Sequence, residues 1–432
     1  MLTAFTRAMR TPDLRKKILF TLGIMAIFRL GSVVPTPGIS YENVQFCIST
    51  VDTSGVYGLI NLFSGGALLQ LSVFALGIMP YITAAIIVQL LVVVIPRFEA
   101  LKQEGQSGQA KLTQYTRYLT MGLGILQAAS IVTLAHVTGP NSLLRCDRSL
   151  LVDDGVFTTI LAVITMTAGT GVVMWLGELI TDRGIGNGMS LLIFTSIAAT
   201  FPASLWQIKV QKSTELFLFV NAIGLFIVAA VVFVEQAQRR IPVQYAKRMI
   251  GRQMYGGTST YIPLKVNQAN VIPVIFAASL LYVPALATRF GDPNAGWVTW
   301  VNTTLVQGDH PIYMITYFAL IIFFTYFYVA ITFNPTEVAD NMKKYGGFIP
   351  GIRAGRPTAE YLDYVLNRIT GPGSLYLGII SLIPIFALSL FGANQNFPFG
   401  GVSIIIIVGV GLETVKQIDS QLQQRNYEGF LR

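Results

Sequence analysis

Ten apolar runs, each long enough to cross a membrane as a helix, constrain this chain more than any other feature. They cover residues 18–34, 72–94, 117–137, 156–177, 187–206, 215–234, 271–289, 312–333, 373–391 and 400–420. A transmembrane helix needs about 20 apolar residues. Runs of ~17–23 residues read as helices, not as the ~10-residue alternating strands of an outer-membrane barrel. Of the 432 residues, 53% are hydrophobic and 12% charged, against about 25% charged in a soluble domain. The expectation is an all-α, polytopic membrane protein. The first run is full length, with no small-residue cleavage site after it, so it reads as a retained span and not a removed signal peptide.

Charge placement orients the spans. Of the 30 Lys and Arg, 24 fall in the N-terminal segment, the C-terminal tail and the loops after even-numbered runs, counting span-end residues with their loops. Five fall after odd-numbered runs, and Arg29 lies inside the first run. By the positive-inside rule both termini are cytoplasmic, which requires an even number of spans. Cys47 and Cys146 then lie in outer loops, where an oxidising environment permits a disulfide. Sequence separation does not decide between a bonded pair and two unpaired thiols.

The stretch Asn61–Val94, NLFSGGALLQLSVFALGIMPYITAAIIVQLLVVV, is too long and too broken for one span. Gly65 and Gly66 interrupt its first piece, and Pro80 lies inside the second. Broken helices survive at membrane depth only where protein buries them or they line a cavity. This predicts a channel or transporter. Two loops, 235–270 and 334–372, exceed ordinary connection lengths and are basic. QRRIPVQYAKR (238–248) alternates like a strand or hairpin, and Asn334-Pro335-Thr336 can cap a helix beginning near Glu337. Thr358-Ala359-Glu360 starts another helix.

An internal echo relates the halves. IMPYITAA (78–85) matches VIPVIFAA (271–278), with Pro80 on Pro273 and Ile82 on Ile275. The matches open runs 2 and 7, which cross in opposite directions. That predicts two inverted five-helix halves, 1–206 and 207–432, with a pathway between them.

Chemistry is scarce. The two histidines, His136 and His310, stand apart, and no nucleophile–base set, metal-spaced cluster or Walker-type loop occurs. Gly184-Ile185-Gly186-Asn187-Gly188 follows a span, not a buried strand, and reads as an interhelical turn. No enzymatic role and no cofactor are expected. An ion-coupled carrier normally places titratable groups at mid-bilayer, whereas these span interiors are nearly free of charge. An apolar constriction resists water and ions by dewetting.

The residues that carry a resemblance are long and ordered: FSGGAL (63–68), ALGIMPYI (75–82), GQSGQAKLTQYTRY (105–118), WLGELITDRGIGNGMSLLIF (175–194), QRRIPVQYAKR (238–248), LKVNQANVIPVIFA (264–277), FNPTEVADNMKK (333–344) and IPGIRAGRPTAEYL (349–362). In these blocks the chain resembles the SecY family, channel subunits of the bacterial protein-secretion translocon. The resemblance implies an hourglass pore sealed by a ring at Ile78, Ile82, Ile193, Ile275 and Ile406. It implies a plug half-helix at about 60–70, with Phe63, Ser64, Gly65, Gly66, Ala67 and Leu68. A lateral gate between runs 2, 3, 7 and 8 would carry Thr83, Gln127 and Ser279 as polar contacts. The cytoplasmic loops would dock the SecA motor and the ribosome through Arg239, Arg240, Lys247, Arg248, Arg252, Arg353 and Arg356. SecE, SecG, SecDF and YidC, the preprotein substrate and membrane lipids are the further implied partners, and the bacterial plasma membrane the implied location. The alternative function is a solute or lipid transporter of the same inverted architecture.

Overall fold

The computed structural model describes residues 9–50, 64–136, 148–153, 155–211, 214–245, 248–250, 253–255, 259–288, 295–306, 310–391 and 401–430. Each predicted run falls on one helix. These are α1 (Pro12–Gly31), α3 (Met79–Val94), α5 (Gln106–His136), α6 (Val156–Arg183), α7 (Gly188–Gln211), α8 (Thr214–Gln236), α9 (Ile272–Ala287), α11 (Pro311–Thr332), α13 (Arg356–Phe391) and α14 (Gly401–Phe430). Shorter helices are α2 (Tyr41–Thr50), α4 (Pro96–Gln103), α10 (Gly296–Val301) and α12 (Pro335–Lys344), and a π-helical turn spans Asn302–Val306. Among the described residues, three helical stretches have the length and apolarity to cross a membrane unaided: Gln106–His136, Val156–Arg183 and Pro311–Lys344. The bent pair α3 and α4, which turns by 100°, passes when taken together. Large side chains such as Phe157, Phe226, Phe233, Ile315 and Phe323 stay exposed. In water they would form an apolar surface of the kind that marks a binding face; a bilayer covers it.

Two boundaries differ from expectation. The second run is helical only from Met79, so Pro80 lies in the first turn of α3. There its missing N–H removes no helical hydrogen bond. Second, α13 starts at Arg356 and continues through the ninth run for 36 residues. The expected loop helix and that span are thus one element. As expected, Asn334 caps a helix, which starts at Pro335, its Oδ1 accepting from the N–H groups of Thr336 and Glu337 at 3.2 and 3.4 Å. The glycine run at 184–188 is the tight α6–α7 turn. Gly186 has φ of +89°, and a Cβ on Gly188 would lie 1.8 Å from the Gly177 carbonyl oxygen.

The loop 235–270 carries β1 (Gln238–Tyr245), β2 (Arg248–Ile250), β3 (Gln253–Tyr255) and β4 (Ser259–Lys265). Strands β1 and β4 pair antiparallel, Gln238 opposite Lys265 and Gln244 opposite Ser259. β5 (Gly347–Phe348), from the other long loop, joins the far edge of β1. One small core of Ile241, Val243, Leu264, Met342, Ile349 and Leu362 therefore unites both loops.

Candidate functional site

The five expected ring residues come from four helices and the turn that leads into one of them. Ile78 precedes α3 and Ile82 lies on it, Ile193 lies on α7, Ile275 on α9 and Ile406 on α14. All five belong to one apolar cluster. Ile78, Ile193, Ile275 and Ile406 are at most 7% exposed, and Ile82 is half-buried against the cluster. Branched side chains are stiff at χ1, so such a cluster presents a defined apolar wall.

Residues 64–78 lead into α3. Ser64 is helical and residues 65–78 form successive hydrogen-bonded turns; residues 60–63 of the expected half-helix lie outside the described residues. Gly65, Gly66 and Gly77 have φ of +68°, +87° and +53°, and Leu71 has +46°, in the left-handed region that breaks helices. The segment is nonetheless tightly held. Ser64, Ala67, Leu68 and Leu71 are buried. Ser64 Oγ accepts from the Leu68 N–H at 3.1 Å. Val73 N–H donates to the Val34 carbonyl at 2.9 Å, Thr36 N–H to that of Leu71 at 3.1 Å, and Phe74 stacks on Phe28. Glycine on α6 permits the approach, since a Cβ on Gly169 would lie 2.0 Å from the Val73 carbonyl oxygen. Arg29, in the last turn of α1, donates from Nη1 to the Gly65 carbonyl at 2.7 Å. Phe63 lies outside the described residues.

Helices α3 and α9 pack together, as do α3 with α5 and α9 with α11. The expected polar contacts across this seam are not made by hydrogen bonds among the described residues. Thr83 donates its hydroxyl to the Met79 carbonyl of its own helix at 3.0 Å. Ser279 Oγ is buried without a partner, and Gln127 is half-buried on α5. A hydroxyl in a helix finds its own i−4 carbonyl first, which a sequence pattern cannot exclude. Conversely, a two-point ion pair went unforeseen. Arg117 on α5 meets Glu178 on α6 with Nε–Oε1 and Nη2–Oε2 both 2.8 Å. Both residues lie at span ends, which was the available signal. His136 Nε2 is 2.7 Å from Thr159 Oγ1, and His310 Nδ1 accepts from the Ile312 N–H, so both histidines serve local structure.

The basic residues of the long loops gather on the mixed subdomain. Arg239 and Arg240 are exposed on β1, with the Arg240 guanidinium 4.8 Å from the Tyr261 ring centre. Arg353 is exposed on the turn before α13, and exposed Arg356 pairs with Glu360 at 3.0 Å. Arg248 lies on β2; Lys247 and Arg252 lie outside the described residues. At the base of the arm, Asn267 Nδ2 donates to Glu235 Oε1 at 2.7 Å, both residues buried. Away from this face, Cys47 is disulfide-bonded, which resolves its two open readings; the chain's other cysteine, Cys146, lies outside the described residues.

Comparison with known proteins closes the identification. The SecY family model matches residues 72–415. A protein translocase subunit SecY of Streptomyces galbus is 69% identical over 437 residues, with all of both chains covered. The fold is similar, at TM-score 0.60 and 20% identity, to a SecY structure described by its plug domain, which stabilises the closed state and maintains a membrane seal; 93% of this chain and 91% of that one are covered. It is similar, at TM-score 0.58 and 19% identity, to Sec61 in a canine ribosome–channel complex, with 93% and 91% covered. A full-length relative at this identity and a family match over most of its length establish that this multi-pass membrane chain belongs to the SecY family of protein-translocating channels.

Proposed function

We propose that this chain passes unfolded preproteins between two inverted halves, 1–206 and 207–432, through a gasket of Ile78, Ile82, Ile193, Ile275 and Ile406. One observation carries the reading: five isoleucines scattered over more than 300 positions belong to one apolar cluster. Such a constriction excludes water and ions by dewetting, yet its side chains can part around an extended chain that brings its own apolar bulk. The channel does no covalent chemistry. Ser64, Gly65, Gly66, Ala67 and Leu68, with Phe63, act as the plug, and the α3–α9 seam serves as the lateral gate for hydrophobic segments. The apolar character of that seam supports this, because association of helices in lipid rests on packing and weak polar contacts.

Both termini face the cytoplasm of a bacterial plasma membrane. The basic subdomain formed by both long loops docks the SecA motor and the ribosome. Exposed Arg239, Arg240, Arg353 and Arg356 support this, since rRNA phosphates bind basic surfaces through counterion release. SecE and SecG complete the complex, and SecDF and YidC assist it. The test is conductance of the purified complex in planar bilayers. Replacing both Ile82 and Ile275 by Gly is expected to open a resting ion leak at least about tenfold above wild type. Unchanged conductance would remove both from the ring. Uptake of a solute or lipid by reconstituted vesicles that needs neither SecA nor ATP, without uptake of preprotein, would instead favour a carrier.

A further inference from the structure

We propose that Arg29 is the latch that seats the segment leading into α3, so that its guanidinium, and not apolar packing alone, keeps the resting channel shut. The inference rests on the plug reading of that segment. Arg29 lies inside the first predicted span, toward its end, and a charge within a span is costly enough to be kept for a purpose. Its partners are few and specific. Nη1 donates to the Gly65 carbonyl at 2.7 Å and lies 3.4 Å from Ser32 Oγ, which itself donates to the Arg29 carbonyl at 2.7 Å. Among the described residues no carboxylate pairs with it. The last turn of α1, where carbonyls point outward, favours a cation.

The receiving carbonyl is as carefully placed. Gly65 has φ of +68°, and a Cβ there would lie 3.0 Å from Ser196 Cα on α7. Gly66 follows at +87° with open space around it. Any other residue at 65 would be strained and crowded, so the carbonyl that Arg29 meets is held there by glycine. The chemistry also suits release. A buried carboxylate partner would be left as an uncompensated charge when the segment moved. A peptide carbonyl leaves no charge behind, and an arginine at a helix end can turn its head to water while its stem stays in apolar surroundings. The bond is thus strong when made and cheap to break.

The test compares resting ion conductance of Arg29→Gln, Gly65→Ala and the double variant in planar bilayers, with folding checked by gel filtration in mild detergent. Losing one charged hydrogen bond is expected to raise the leak of R29Q about tenfold or more. G65A is expected to leak as well, and the double variant no more than the worse single one. R29Q should still transport preprotein. A tight R29Q beside a leaky G65A overturns the latch and leaves the plug standing. Tight channels in both variants overturn the plug reading itself. If neither R29Q nor R29A assembles, Arg29 is a structural requirement and the latch is overturned.

Discussion

Helices α3 and α9 begin alike but are reached by unlike chain. Each is 16 residues long, with proline second, Pro80 or Pro273, and a proposed ring isoleucine two residues later. The likeness extends beyond the helices. Val73 and Val266 each lie seven residues before the proline, and each points its carbonyl at a glycine of a neighbouring helix. A Cβ on Gly169 of α6 would lie 2.0 Å from the first oxygen, and one on Gly373 of α13 2.4 Å from the second. α6 and α13 carry predicted runs 4 and 9, five apart like runs 2 and 7. This correspondence supports the inverted repeat independently of the eight-residue echo. The lead-ins differ. Residues 64–78 are buried turns with no charge, whereas β4 and residues 266–271 close an exposed basic hairpin. One start, a proline turn against a glycine notch, thus follows the proposed stopper in one proposed half and the proposed docking arm in the other.

The notch is the strongest place to test that likeness. Gly169→Ala and Gly373→Ala each force a methyl into a backbone carbonyl, so both should lower the thermal midpoint of the detergent-solubilised complex. The expected cost is about 3 kcal/mol for the first and about 2 for the second. If either is tolerated, the two starts are not equivalent. Next in size is the tie at the base of the arm. Asn267→Ala removes the donor from buried Glu235 and should cost about 1–3 kcal/mol, without ion leak, while Glu235→Gln keeps a partner and should cost less. A leak in N267A would mean that the arm, like the plug, holds the seal. The smallest effect is expected at the surface. Arg353→Glu should slow motor-driven preprotein uptake roughly fivefold, about 1 kcal/mol, with resting conductance unchanged. Normal uptake would remove Arg353 from docking.

Much of this was legible before any coordinates. Apolar run length placed each long helix among the described residues, because a bilayer demands length. Asn334 announced its helix through its capping chemistry, and QRRIPV announced a strand through alternation. Other features were illegible for definite reasons. Pro80 looked like a break within a span, since hydropathy cannot separate a buried turn from a buried helix. Thr83 looked like a gate contact, but its own helix offered a nearer acceptor. The Arg117–Glu178 pair depends on the relative rotation of α5 and α6, which no local pattern records.

The sequence by itself determined that this chain lives in a bilayer, where its helices run, and that its span interiors carry almost no charge, because those properties follow from the local transfer of residues out of water. Only the tertiary structure decided what meets at the centre and at the faces. It brought five isoleucines together, joined two distant loops in one sheet, and laid Gly65 under Arg29. Such pairings depend on helix rotation and on close approaches measured in ångströms, and these are set by packing across the whole molecule.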